Sequence, residues 1–340
     1  MKILLCGYYG YGNAGDELLL SGTLRILRRT YPNAEVCVLS HDPEATATAH
    51  AVSSAINRYN PFALFRNIII SDRVIIGGGG LLQDFTGPLT LHYYLVIALC
   101  SMLFGTPTFF NAVGANRLHS FNAFLTGFVL RRCTQISVRD KETAALLRKW
   151  GVPSRKVVVT ADPVFALAQP LARPPMPVTV LLVARRASDT GLYRAAIPLI
   201  VQQLEGKVVT LPFQPQYDAE VNTAIARETP EHVTAQSWLN IDDVVKQFDA
   251  CHLVIAERFH ALVLAAMRGL PAVCVSDDEK LIRFSRSVGY PVLRPSSRPD
   301  AAALTAVVVE LWKYRERLQP FLLHRAASQN VLASRNPVLS

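Results

Sequence analysis

The chain is poor in charge and has no cysteine arrangement suited to a metal or a disulfide framework. Asp, Glu, Lys and Arg make up 18% of its 340 residues, against about 25% in an ordinary soluble domain. With hydrophobic residues at 50%, a disordered chain is excluded. The six cysteines stand singly at Cys6, Cys37, Cys100, Cys133, Cys251 and Cys274, and none forms a Cys-x-x-Cys pair. Reduced core thiols of a cytosolic protein are expected rather than zinc ligands. No His and Cys cluster and no acidic pair has metal-site spacing, so neither a metal nor a cofactor is expected. Long apolar runs are also missing. The longest, Tyr93 to Phe104, stops at Gly-Thr-Pro. It is too short to span a bilayer and predicts a buried crossover helix, with a membrane-associated face as the alternative. Gly7 breaks the first apolar run too early for a signal peptide.

The charges that do occur are unbalanced: 35 Lys and Arg against 26 Asp and Glu give +9. Such a surplus points to phosphorylated substrates, nucleic acid or an anionic membrane surface. The basic residues are spread along the chain rather than clustered with aromatics, which argues against nucleic acid as a partner.

Short apolar runs alternate with helical patterns from end to end. They are Lys2 to Cys6, Ala34 to Leu39, Arg73 to Ile76, Thr108 to Val113, Gln135 to Val138 and Val157 to Val159 before a Pro-rich stretch. Val178 to Val183, Lys207 to Leu211, Leu253 to Ala256 and Pro271 to Val275 follow it. This repetition predicts an α/β fold of two Rossmann-like domains with a central cleft, ligands collecting at the carboxyl edges of the strands. The expected boundaries are 1–170 for the first domain, 171–177 for the linker and 178–312 for the second domain. A C-terminal helix or tail, 313–340, is expected to pack back on the first domain.

Polar residues gather where strands end. Gly7-Tyr8-Tyr9-Gly10-Tyr11-Gly12-Asn13-Ala14-Gly15-Asp16-Glu17 follows the first strand. Its glycine spacing is not that of a dinucleotide fingerprint, and the Lys and Ser/Thr of a Walker loop are absent. It is either a glycine-rich turn with aromatic packing or a sugar platform of tyrosines beside an Asn and an acid. The strand at 73–76 runs into Gly77-Gly78-Gly79-Gly80-Leu81-Leu82-Gln83-Asp84. Glycine lowers strand propensity, so a ligand or a neighbouring strand must approach that backbone closely. Arg139 and the pair Arg185-Arg186 also stand at strand ends. The most informative turn is Glu257-Arg258-Phe259-His260, between a strand and a helix, where free backbone N–H groups and the helix dipole favour an anion. An ordinary capping pair is the alternative there.

Gly7 to Glu17, Gly77 to Asp84, Ser137-Val138-Arg139-Asp140, Ala161-Asp162-Pro163 and Glu257 to Leu262 occur in this order across nearly the whole chain. Together they resemble the polysaccharide pyruvyl transferase family, and within it the enzymes of secondary cell wall polymers. The resemblance implies a glycosyltransferase-B-like fold and transfer of a pyruvyl group from phosphoenolpyruvate to a sugar. The product it implies is a 4,6-ketal on N-acetylmannosamine, carried on a lipid-diphosphate precursor and supporting surface-layer protein anchoring. The single cysteines place the expected location in the cytoplasm, and a lipid-diphosphate acceptor at the inner membrane face would explain the charge of +9 through peripheral contact. This chain has Glu257 and Phe259 where the family pattern is Gly-x-Arg-Leu-His, and Ser276-Asp277-Asp278-Glu279-Lys280 where it is Ser-Tyr-Asp-Pro-Lys.

Ketal formation adds a proton to the methylene carbon of phosphoenolpyruvate and expels phosphate as two hydroxyls add, so two anionic groups must be held and an acid and a base supplied. Arg139, Arg185, Arg258 and Lys280, with His260, are the candidates for phosphoenolpyruvate; Arg186 is a further possibility beside Arg185. His260 suits either proton transfer or a phosphate contact. Tyr11, Asn13, Asp16, Gly79, Gly80, Gln83 and Asp84 are the candidates for the acceptor. Asp16 joins Arg258 and His260 as catalytic, as the base for a sugar hydroxyl, with Asp84 behind it. The rivals are a nucleotide-sugar-dependent glycosyltransferase on the same architecture and a non-catalytic binder of anionic glycans.

Overall fold

A computed structural model describes residues 1–84, 87–168 and 177–339. Of the expected linker, only Pro177 falls among the described residues; 171–176 lie outside them. The chain divides into two compact units, Met1–Tyr11 with Asp16–Leu167 and Gln329–Ser340, and Gly12–Gly15 with Ala168–Ser328.

In the first unit strands and helices alternate: β1 (Lys2–Tyr9), α1 (Ala14–Thr30), β2 (Glu35–Ser40), α2 (Pro43–His50), β3 (Ser54–Asn57) and α3 (Pro61–Ile70). They continue as β4 (Arg73–Leu82), α4 (Pro88–Leu103), β5 (Thr108–Ala115), α5 (Ser120–Leu130), β6 (Gln135–Val138), α6 (Lys141–Lys149) and β7 (Val157–Val159). The strands pair in parallel in the order β3-β2-β1-β4-β5-β6-β7. Alternation along β1 shows why the run is apolar throughout. Ile3 and Leu5 enter one core cluster with Leu20, Leu24 and Leu27, while Leu4 and Cys6 enter the opposite one with Leu64, Ile68 and Leu95. A parallel strand covered by helices on both faces has no polar side to show.

The end of the chain closes this unit. Thr160 Oγ1 donates to Leu332 O (2.8 Å), Asn330 Nδ2 to Phe165 O (2.8 Å) and Asn336 Nδ2 to Asn111 Oδ1 (2.7 Å). Val338 and Leu339 are fully buried in the cluster that holds Ile3 and Leu5.

The second unit repeats the pattern with β8 (Val178–Val183), α7 (Thr190–Leu204), β9 (Gly206–Thr210), α8 (Pro215–Glu228), β10 (Val233–Ala235) and α9 (Ile241–Asp249). Then come β11 (Leu253–Ala256), α10 (Phe259–Arg268), β12 (Ala272–Val275), α11 (Glu279–Val288), β13 (Val292–Leu293) and the long α12 (Ala301–Ser334). The sheet order is β10-β9-β8-β11-β12-β13, again parallel. Leu304, Val308 and Leu311 of α12 join its core.

Both sheets therefore have the doubly wound, Rossmann-like order that the alternation predicts. In such a sheet the connections leave in opposite directions between the first strand and its later neighbour, which opens a crevice at the carboxyl edge of that pair. The pairs are β1 and β4 in one unit and β8 and β11 in the other. The glycine-rich stretches end β1 and β4, and the Arg185 and Arg258 turns end β8 and β11.

Several strand ends differ from the sequence expectation, β1 running on to Tyr9 and β5 to Ala115, and the largest change is at β4. β4 runs on through its glycines to Leu82 instead of stopping at Ile76. A Cβ on Gly77 would overlap the backbone of Asn111 on β5, and Gly78 and Gly79 both have φ +87°. The close approach required at Gly77 is thus made by the neighbouring strand, while the other two take a conformation that other residues reach only with strain.

Candidate active site

In the second unit, basic side chains converge on the carboxyl edge of β8 and β11. Arg258 takes the N-cap position of α10 with an extended backbone (φ −114°, ψ 132°), and no side chain caps that helix. A guanidinium has no acceptor with which to cap, so a capping role for its side chain is excluded. Instead it forms a fork with Asp218 of α8: Nε donates to Oδ2 (3.0 Å) and Nη2 to Oδ1 (2.5 Å). Asp218 is fully buried and also accepts from the backbone N–H groups of Arg186 and Gln214, each at 3.1 Å. Arg258 keeps 28% of its side chain exposed. A paired and oriented guanidinium that still meets solvent is suited to a second anion.

The preceding residue, Glu257, points into the sheet edge and is buried. Its carboxylate accepts from Tyr193 Oη (2.5 Å) and Ser188 Oγ (2.7 Å), with Arg185 Nε at 3.6 Å. Burial pushes its carboxyl up, against the pull of Tyr193, Ser188 and Arg185. A shift in that direction is what withdrawal of a carboxyl from water produces.

Lys280 stands in the first turn of α11, where Asp278 caps the helix by accepting from the Lys280 N–H (2.8 Å). Its ammonium lies 4.1 Å from the centroid of the Phe259 ring, and that ring meets His260 edge to face at 5.2 Å. The departure at Phe259 thus supplies the aromatic face on which the lysine rests. Asn13 and Gly15 group with this unit: Asn13 Oδ1 accepts from Gly15 N (3.0 Å), and a Cβ on Gly15 would overlap His260 Nδ1. Only glycine there leaves the imidazole its place. Arg185, Arg258, His260 and Lys280 are therefore gathered in one unit, whereas Arg139 belongs to the other.

In the first unit, Arg139 lies against the glycine-rich edge. Its Nη1 is 3.3 Å from Asp162 Oδ2, both side chains being 4% exposed, and a Cβ on Gly114 would come within 2.6 Å of Nη2. Gly80 lies 4.0 Å from the same Nη2 by the same measure, and Gly79 lies 3.4 Å from Asp16 Oδ1. Asp16, Gly79, Gly80 and Arg139 are therefore neighbours. Tyr11 stacks between Tyr8 (4.1 Å) and His41 (4.3 Å), and its hydroxyl meets that of Tyr59 at 2.5 Å.

Gln83 is half-buried, and Asp84 is tied to the start of α5. Asp84 Oδ2 accepts from Asn122 Nδ2 (2.7 Å) and from the His119 backbone (3.0 Å), with His119 Nδ1 at 2.9 Å. Chiefly through the Asn122 bond, its carboxyl is held down at about 2. Such a group is a poor base.

Sequence reasoning passed over Asp218, Ser188 and Tyr193. Asp218 resembles an ordinary acid in the first turn of a helix. The signal that could have exposed it is its spacing: with Val221, Asn222 and Ile225 it forms an i, i+3, i+4, i+7 stripe, and all four are buried. An acid on the apolar stripe of a helix needs a partner. Among the described residues, no group of three or more His, Cys, Asp or Glu is placed to hold a metal ion.

Comparison with known proteins bears on the fold and the family. The structure of HepE from Anabaena in complex with UDP superposes with a TM-score of 0.65 at 13% identity, covering 98% of each chain. The UDP-GlcNAc 2-epimerase from Neisseria meningitidis, bound to UDP-GlcNAc, gives 0.68 at 13% identity, also over 98% of each chain. At that identity the likeness is one of fold, and it is glycosyltransferase-B-like. The amylovoran biosynthesis protein AmsJ of Erwinia amylovora is 20% identical, over 93% of either chain. The model of one family, polysaccharide pyruvyl transferase, matches residues 13–279. The chain belongs to the polysaccharide pyruvyl transferase family, transferases of polysaccharide biosynthesis.

Proposed function

We propose that the chain transfers the pyruvyl group of phosphoenolpyruvate to two hydroxyls of a cell-wall polysaccharide sugar, forming a cyclic ketal and releasing phosphate. The observation that carries this reading is the gathering of Arg185, Arg258, His260 and Lys280 at one sheet edge, with Asp218 gripping Arg258 from behind. Arg185 and Arg258 each face an acid there, Glu257 and Asp218, and Lys280 stands two residues from Asp278, which caps its helix. A compact donor with a phosphate and a carboxylate suits guanidinium and ammonium groups gathered at one edge.

In this reaction the methylene carbon gains a proton and the adjacent carbon becomes oxocarbenium-like. Two sugar oxygens bond to it, their protons are released, and the bond to phosphate breaks. Arg258 and Lys280 hold the anionic groups, and His260 gives the proton or contacts the phosphate. Asp16 takes a proton from a sugar hydroxyl, ahead of Asp84, whose carboxylate is held too low for that work. Tyr11, Asn13, Gly79, Gly80 and Gln83 contact the acceptor. The finer reading is a 4,6-ketal on N-acetylmannosamine of a lipid-diphosphate-linked precursor, serving surface-layer anchoring. No metal takes part, so a chelator leaves the rate unchanged.

Titration separates this reading from its rival. Binding of phosphoenolpyruvate that weakens strongly in Arg258→Ala, and less in Arg258→Lys, supports it; tight UDP-sugar binding with none for phosphoenolpyruvate overturns it.

A further inference from the structure

On α3, α4 and α5 the outward stripe is apolar. α3 exposes Phe62, Phe65, Ile69 and Ile70, at i, i+3, i+7 and i+8, with Arg66 among them. α4 exposes Leu89, Val96 and Leu103, one residue every seven, where a surface helix normally carries charge. α5 exposes Phe121 and Phe124, with Phe128 half-buried one turn on. The helices are neighbours, α4 touching both α3 and α5. The rings of Phe65 and Phe104 meet at 6.3 Å, joining α3 to the end of α4.

The charge within these three helices has one sign. No Asp or Glu occurs between Glu44 and Asp72, or between Asp84 and Asp140, which spans all three helices. The exposed ionic residues within or beside them are Arg66, Arg117, Arg131 and Arg132, together with Asp72 two residues past α3, which accepts from the Lys2 N–H (2.6 Å); the Arg132 guanidinium lies 3.6 Å from the Phe128 ring centroid. An apolar surface of this extent marks an interaction site. Aromatic and aliphatic side chains with arginines at their rim, on helices that carry no acid, match the boundary between anionic headgroups and acyl chains. The helices cannot cross: α4 has 16 residues, about 24 Å at 1.5 Å per residue, against a hydrocarbon core of about 30 Å.

We infer that the α3–α4–α5 face docks on an anionic lipid bilayer, the phenylalanines entering the interface and the arginines contacting headgroup phosphates. This does not depend on the identity of the donor. It also revises the sequence expectation for Tyr93 to Phe104, whose helix is half covered rather than wholly buried.

The test is flotation of the intact chain with vesicles of phosphatidylglycerol and phosphatidylcholine, against phosphatidylcholine alone. Binding to the anionic vesicles is expected, weakening as salt rises. Phe62→Ser with Phe121→Ser should lower the partition at least tenfold. Arg66→Gln and Arg117→Gln should each lower it roughly fivefold. All four side chains are exposed, so the variants retain the fold, which their unfolding temperatures check. Absence of flotation at low salt, equal binding to neutral vesicles, or binding unchanged by both pairs of substitutions overturns the inference. So does a concentration-dependent dimer abolished by the phenylalanine substitutions, which would assign the face to a second copy of the chain.

Discussion

Replacing Asp218 should damage the second unit in two separable ways. The carboxylate is fully buried, holds two bonds from Arg258 and accepts two backbone N–H groups. In Asp218→Ala the guanidinium loses its countercharge and those N–H groups lose their acceptor. Removing one member of a buried pair costs about 3–5 kcal/mol, and at about 2–4 °C per kcal/mol the unfolding temperature should fall by roughly 6–20 °C. Asp218→Asn keeps the shape and one acceptor oxygen, so its loss should be nearer the roughly 1.5–3 kcal/mol of a single charge-assisted bond. The second effect is on the donor. With Arg258 no longer oriented, phosphoenolpyruvate affinity should fall in both variants, and acceptor affinity in neither. Thermal unfolding and phosphoenolpyruvate titration, run on the same preparations, read the two. An unchanged unfolding temperature in Asp218→Ala would refute the energetic argument. A large stability loss with unchanged donor affinity in both variants would remove Arg258 from the donor site.

Three further outcomes follow from the same geometry. Gly15→Ala places a methyl where His260 Nδ1 stands, so turnover should drop at least tenfold by steady-state assay while the helix, which favours alanine by about 1 kcal/mol, is not weakened; unimpaired turnover would show that His260 can move without cost. Because burial raises the Glu257 carboxyl in the folded state, the protein binds more protons folded than unfolded, and stability is lost as pH rises through that value. Glu257→Gln should remove this decline above about pH 4.5, and a gap between the two proteins that stays constant from pH 4 to 8 would contradict it. Asp84 is the opposite case. Its carboxyl is held at about 2, so the stability it adds is present above about pH 4 and disappears as pH falls toward 2. Asp84→Asn should match the wild type only at the acid end in pH-dependent thermal melts.

Much of the architecture was legible because parallel strands buried on both faces leave uninterrupted apolar runs. Gln135–Val138, Val157–Val159, Val178–Val183 and Leu253–Ala256 begin and end where the sequence places them. The strands that escaped notice are of another kind. Ser54–Asn57 and Val233–Ala235 lie at sheet edges, and Val292–Leu293 is two residues long and half-buried. Their hydrogen bonds come from a neighbouring strand, and their side chains carry little of the period-two signal. The site was legible where chemistry and backbone coincide, as at Arg258 and His260. It was not legible where a partner arrives from 40 residues away, as Asp218 does to Arg258. Gly77 shows the converse: its sequence signal was strong, and the cause is the passing backbone of Asn111.

The reaction proposed for this chain consumes phosphoenolpyruvate and leaves its three-carbon unit on a sugar as a ketal. The direct measurement is mass spectrometry of aminosugar acceptors, soluble and lipid-linked, after incubation with the protein and phosphoenolpyruvate carrying ¹³C in its three carbons, with released phosphate assayed in parallel. The predicted result is an acceptor heavier by one labelled pyruvic acid less one water, formed in step with phosphate and absent with Arg258→Ala. Phosphate release without label on any acceptor, or acceptor modification only when a UDP-sugar is supplied, would contradict it.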